Sequence, residues 1–144
     1  MPVSLVLDTG VLIAGLRSRR GASFQRLSQL GSGVFELSVS VPLVLEYEAV
    51  AKAQARELGL THQDVDDLLD YVCAVAQRRR IFYLWRPVLR DPRDDMVLEL
   101  AVEAGAEIIV TFNQRDFVGA EQFGIRVLPP GEVLRSLQRS GRHR

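Results

Sequence analysis

Val3-Ser4-Leu5-Val6-Leu7-Asp8-Thr9-Gly10-Val11-Leu12-Ile13 opens with an apolar run, breaks it with a single acid and resumes it. The run before Asp8 is short and contains β-branched residues, so it reads as a buried strand, and the spacing after it reads as a helix. Asp8 therefore falls at the carboxyl end of the strand. In a parallel sheet that is where ligands bind.

The same alternation continues along the chain. Arg17-Ser18-Arg19-Arg20-Gly21 breaks the pattern before a helix expected over 22–30 and a strand over 34–41. Pro42 suits the first turn of a helix over 42–58, whose apolar stripe is Leu43, Tyr47, Val50, Ala51 and Gln54 and which stops at Gly59. Thr61-His62-Gln63-Asp64 is a capping-box variant that opens a helix to residue 79, with Val65, Leu68, Leu69, Val72, Cys73 and Ala76 turned to the core. A strand over 81–85, a helix over 93–103 closed by Gly105, strands over 107–111 and 125–128 and a helix from Pro130 complete the series. Strands alternating with helices predict an α/β domain of three layers, a central and mostly parallel sheet flanked by helices. Residues 1–135 make the domain, and 136–144 lose their apolar content, turn basic and read as a frayed tail.

Composition narrows the functions. A chain of 144 residues buries a real core as one domain. Its 18 basic and 18 acidic side chains cancel, so no global positive field draws in a polyanion, and any nucleic-acid contact must come from local patches. The single cysteine, Cys73, excludes an internal disulfide framework and a multi-cysteine metal site, and suits a reducing cytoplasm. No stretch approaches the ~18 to 20 apolar residues of a membrane span, and Met1-Pro2-Val3-Ser4 puts no basic region before the first apolar run. A cytoplasmic protein without membrane segment or export signal is expected.

Several acids are out of place. Asp8 taken alone reads as a helix N-cap. Glu46 follows Leu43 by three positions and precedes Val50 by four, on or beside a buried stripe, where a carboxylate needs a cation or hydrogen bonds. Glu48 lies about 200° further round the helix, on its polar face. Asp94 aligns with Val97, Leu98 and Ala101 and is expected to face inward, whereas Asp95 aligns with Glu99, Val102 and Glu103 and is expected outward. Asp91 suits a structural N-terminal acid. Thr111, Asn113 and Asp116 follow another apolar strand. If Asp8, Glu46, Asp94 and Asp116 converge at one end of the sheet, their repulsion calls for a divalent cation. An all-oxygen donor set suits Mg²⁺ or Mn²⁺ rather than zinc. His62 and His143 fall away from these positions and are expected to be exposed.

Taken together and in order, Leu5-Val6-Leu7-Asp8-Thr9, Val41-Pro42-Leu43-Val44-Leu45-Glu46-Tyr47, Asp91-Pro92-Arg93-Asp94-Asp95 and Ile109-Val110-Thr111-Phe112-Asn113 resemble the PIN domain nucleases over nearly the whole chain. Within them the chain is most similar to the VapC-like toxins of bacterial toxin-antitoxin pairs. The resemblance puts the family's acids on Asp8, Glu46 and Asp94. Its usual Thr-Gly-Asp reads Thr111-Phe112-Asn113 here, which leaves Asp116 as the nearest fourth acid, and Gly10 stands where Asn is common. It implies a Mg²⁺- or Mn²⁺-dependent endoribonuclease, a homodimer and a small antitoxin protein over the acidic site. Asp8, Glu46, Asp94 and Asp116 would be catalytic and metal-binding, with Thr9, Thr111 and Asn113 as supporting groups.

Arg17, Arg19, Arg20, Arg93 and Arg115 are candidate RNA contacts near the site mouth, with a solvated surface arginine as the plain alternative for each. Arg78-Arg79-Arg80 is the densest basic run and reads first as a helix C-terminal cap, then as an RNA contact. Tyr71, Phe82, Tyr83 and Trp85 suit core packing before a dimer contact.

Three rival readings remain. Asp8-Thr9-Gly10 is the loop signature of aspartic proteases, but those are β proteins, and the helical stripes carrying Glu46 and Asp94 would then have no purpose. Gly10 and Asn113 leave room for a degenerate PIN domain that binds RNA or protein without cleaving. A nucleotide-binding module is disfavoured, since no glycine-rich phosphate loop follows a strand.

Overall fold

The computed structural model describes residues 3–17, 33, 35–80, 89 and 91–142, the side chains of 92 and 137–142 excepted. Among the described residues five strands form one sheet: β1 (Val3–Leu7), β2 (Phe35–Val39), β3 (Gln77–Arg78), β4 (Ile108–Val110) and β5 (Arg126–Leu128). Their spatial order is β3-β2-β1-β4-β5 and every pairing is parallel, so all carboxyl ends lie along one edge of the sheet. Parallel strands require crossovers, and the helices that supply them flank the sheet. These are α1 (Thr9–Arg17), α2 (Val41–Ala53), a short α3 (Ala55–Leu58), α4 (His62–Val75), α5 (Pro92–Ala104) and α6 (Pro130–Arg142). Two 3₁₀ turns, Gln114–Phe117 and Ala120–Phe123, join β4 to β5.

The core follows from the sequence pattern. Leu5, Val6 and Leu7 of the central strand are buried on both faces, as a doubly covered parallel strand must be. Leu43, Tyr47 and Ala51 of α2, Val65, Leu69 and Val72 of α4, and Val97, Leu98 and Ala101 of α5 pack into the same core. Tyr47 is fully buried, and its hydroxyl donates to the Leu7 carbonyl at 2.6 Å, tying α2 to the end of β1.

Local signals placed most helix ends. The Ser40 hydroxyl caps α2 by accepting from the Leu43 N–H. Thr61 and Asp64 exchange both bonds of a capping box at the start of α4. Gly105 ends α5 with φ of 64°, a left-handed conformation that turns the chain tightly into β4.

The expected elements over 22–30 and 81–85 lie outside the described residues. The helix expected over 42–58 is divided at Gln54, whose backbone leaves the helical path between α2 and α3. The helix expected to reach residue 79 ends at Val75. Ala76 turns extended, and Gln77 and Arg78 instead pair with Ser38 and Val39 of β2. The sheet edge supplies hydrogen bonds to those residues, and the Arg79 N–H adds one to the Val39 carbonyl at 2.8 Å. Arg78 therefore ends a strand that Arg79 and Arg80 follow, and the run does not cap a helix. Cys73, expected in the core, is half-buried. The helical backbone of α6 continues past residue 136, where the basic tail was expected to start.

Candidate active site

The chain reverses its direction of travel across the sheet between β1 and β4. β1 leads to β2 and β3 on one side, while β4 and β5 fill the other. At such a switch point the flanking crossovers part and leave a crevice at the carboxyl ends of the strands. Asp8 and Thr111, the residues immediately after β1 and β4, stand on its two sides. The Thr111 hydroxyl donates to Asp8 Oδ2 at 2.6 Å and closes it.

A chain of hydrogen bonds spreads from this contact. The Asn113 N–H donates to Thr111 Oγ1 at 3.0 Å, which fixes that hydroxyl with its proton toward Asp8. The Thr9 N–H donates to Asp8 Oδ1 at 2.9 Å, and the Thr9 hydroxyl donates to Glu46 Oε2 at 2.6 Å. Thr9 is buried and so bridges two acids from separate elements. Asp8 thus does what an N-terminal acid does for α1, yet each of its oxygens accepts one bond and keeps a second lone pair. Glu46 reaches the site because α2 starts directly after β2, at the same edge of the sheet.

α5 precedes β4 and runs back against the strand direction, so its N-terminus also lies at this edge. Asp91 caps it, accepting from the Arg93 N–H at 2.9 Å, and Asp94 sits in its first turn. Burial raises the Asp8 pKa, hydrogen bonds from Thr111 and Thr9 lower it, and the charges of Glu46 and Asp116 raise it again. The Asp94 carboxyl is pushed up to about 6, first by burial and then by the charges of Asp116, Asp8 and Asp91, against an opposing pull from Arg93. Asp8, Glu46, Asp94 and Asp116 therefore share one electrostatic neighbourhood. Asp116 belongs to the first 3₁₀ turn and is exposed.

Asp95 and Glu99, expected outward, are buried, at 6% and 9% exposure. Asp95 accepts the Leu89 N–H at 2.9 Å, while Asp94 is only half-buried. Helical spacing alone misplaced Asp95, because the Leu89 N–H takes it as acceptor on a face that periodicity assigns to solvent.

The candidate RNA contacts divide. Arg93 is exposed and pairs with Asp91 at 3.2 Å, close enough to feel the charges of Glu46 and Asp94. Arg115 is exposed in the same 3₁₀ turn as Asp116. Arg17 ends α1 about 13 Å along the helix axis from Asp8 and donates to Gln54 Oε1, away from the acids. Arg19 and Arg20 lie outside the described residues. Phe112, not singled out by the sequence, is 53% exposed between Thr111 and Asn113, at the site mouth.

Among the described residues no three His, Cys, Asp or Glu side chains are drawn together into a ready-made metal cage. The donor set nevertheless fits a hard divalent cation. It is carboxylate oxygen with free lone pairs, its members repel one another, and Mg²⁺ binds through one or two carboxylates while keeping several waters. Among the described residues no helix is long and apolar enough to cross a membrane.

An α/β domain with a parallel sheet and an aspartate, Asp8, at its switch point is the class of protein that fold and site define. The PIN domain family matches residues 4–115, and the chain belongs to it. Two solved structures share the architecture. One is the DNA-bound VapBC of Salmonella typhimurium, with 17% identity, 89% of this chain and 98% of that chain covered and a TM-score of 0.61. The other is VapBC2 of Rickettsia felis bound to a DNA fragment from its promoter, with 11% identity, 88% and 97% covered and a TM-score of 0.56. At these identities the likeness establishes the fold. A search of curated proteins finds no match.

Proposed function

We propose that the chain is a metal-dependent endoribonuclease and the toxin of a toxin-antitoxin pair. One observation carries the reading: Asp8 is held on both oxygens at the switch point and shares its electrostatic neighbourhood with Glu46, Asp94 and Asp116. Such a cluster is costly without a ligand that compensates it. Membership of the PIN domain family, a family of nucleases, and the likeness to two VapBC complexes support the same reading. Mg²⁺ or Mn²⁺ is the cofactor, a cognate antitoxin protein the partner, a homodimer the assembly and the cytoplasm the location.

Asp8, Glu46, Asp94 and Asp116 would hold the cation. When bound, it supplies an acidified water and neutralises charge that builds on the phosphate. Thr9 and Thr111 orient Asp8, and Thr9 also holds Glu46, so these acids need little rearrangement. Asp94 would take its place in that set as a carboxylate, since positive charge beside it favours the ionised form. Arg93 and Arg115 offer guanidinium groups to phosphates near the mouth. Phe112 offers a ring on which an unpaired base stacks.

Cleavage of a labelled RNA pool by purified protein with Mn²⁺ or Mg²⁺ tests the reading. Activity abolished by EDTA and lost in Asp94→Asn is expected. A folded protein inactive with either metal refutes it in favour of a binding-only PIN domain.

A further inference from the structure

The proposed site has an electrostatic difficulty. Four carboxylates repel a polyanion, and a chain of net charge +0 has no overall field to offset them. The remedy must be local, and the displaced arginine run supplies it. Arg78 ends β3, and Arg79 and Arg80 continue from it at the carboxyl edge of the sheet. All three are exposed and line one cavity of about 540 Å³. Among the described residues no carboxylate forms an ion pair with any of them.

The rest of the cavity is chiefly apolar, walled by Val41, Val44, Leu45 and Cys73. Val41 and Leu45 are 72% and 58% exposed at the start of α2, although α2 buries Leu43 and Tyr47 on its other face. Because the strands are parallel, the cavity opens at the same edge as Asp8. β3 lies two strand spacings from β1, about 10 Å. Along that edge the chain presents arginines after β3, Asp8 after β1 and Thr111 after β4.

We infer that this groove binds single-stranded RNA beside the cleaved phosphate, the arginines taking backbone phosphates and the apolar wall taking a base. The inference rests on the nuclease reading and extends it from the acids to the substrate's path. Guanidinium forks match phosphate oxygens, and unpaired bases present apolar faces that duplexes hide. A second copy of the chain fits less well. A two-fold interface lays a patch on itself, and the cavity lining holds three arginines and no carboxylate to receive them.

The test compares wild type with the combined Arg78→Gln, Arg79→Gln, Arg80→Gln variant. A single Arg80→Glu variant, beyond the paired residues of β3, guards against loss of that strand. Binding of a labelled RNA of about 12 nucleotides is followed by anisotropy across a salt series in EDTA, a length within the range of single-strand sites. Each lost phosphate contact removes about 0.7 from the slope of log affinity against log salt, so the triple variant flattens it by about 2. Between about 50 and 200 mM salt that is roughly a 20-fold loss of salt sensitivity. KM for long RNA rises, while Mn²⁺-dependent hydrolysis of bis(p-nitrophenyl) phosphate stays at the wild-type rate. Unchanged affinity and slope in both variants overturn the groove. So does a change in sedimentation with RNA affinity intact, which would mark an interface between proteins. Wild type that binds RNA with this arginine dependence but hydrolyses neither substrate keeps the groove and removes the nuclease reading.

Discussion

Replacing Asp94 with asparagine should stabilise the metal-free protein at neutral pH, although it disables the proposed site. The folded chain raises the Asp94 pKa from 3.8 to about 6. At 1.36 kcal/mol per unit the full shift corresponds to about 3 kcal/mol. The side chain is only half-buried, and solvent screening reduces this to about 1 kcal/mol. The folded state holds the Asp94 proton up to pH about 6 and the unfolded state only to about 4. Between these values the folded state binds more protons at Asp94, so this group's contribution to stability is fully present below about 4 and is lost as pH rises through about 6. Asparagine carries no charge to repel its neighbours. In EDTA at pH 7.5 the variant should therefore melt higher by about 3 °C, and the gain should vanish near pH 4. Melting curves followed by circular dichroism at both pH values decide the matter. A variant that melts at or below wild type at pH 7.5, or whose gain is the same at pH 4, refutes the repulsion argument. Added Mn²⁺ should raise the wild-type Tm more than that of the variant, because binding to the folded state alone stabilises it.

The neighbouring acid should behave in the opposite way. Asp95→Ala leaves the Leu89 N–H without its buried acceptor and should cost about 1–3 kcal/mol in urea unfolding at neutral pH. Thr111→Val removes the donor to Asp8 Oδ2 at little change of shape. Asp8 then holds its proton more tightly, and turnover should fall roughly 10- to 100-fold, as expected for a hydrogen bond to a charged group. The acid limb of the pH–rate profile should move to higher pH; a profile unchanged in height and position would show that this bond does not tune Asp8.

Much of this was legible in the sequence because it is written locally. Asp8 is marked by the apolar runs on both sides of it, and Glu46 by its place beside the Leu43 and Tyr47 stripe. Thr61 with Asp64, and Gly105, mark helix ends with residues that act within a turn of themselves. What escaped depends on partners beyond a helical turn in the chain or on elements too brief to show a period. β3 has two residues, and its only reason to be a strand is the open edge of β2. Asp95 is inward because a backbone N–H six residues earlier needs it. The buried hydroxyl of Tyr47 reads as one more apolar stripe residue until its bond to Leu7 is seen.

The bond between Thr111 and Asp8 joins residues 103 positions apart, and Asp116 comes later still. At about 5–20 residues per second, some 5–20 s of synthesis separate the first half of that contact from the second. During this interval β1 has no β4 beside it, and the acids of the amino-terminal half lack their partners across the crevice. The site is completed only once Thr111 and Asp116 have been made. A ribonuclease built on this topology would stay harmless to the message and ribosome producing it until the strand before Thr111 has been made and paired with β1.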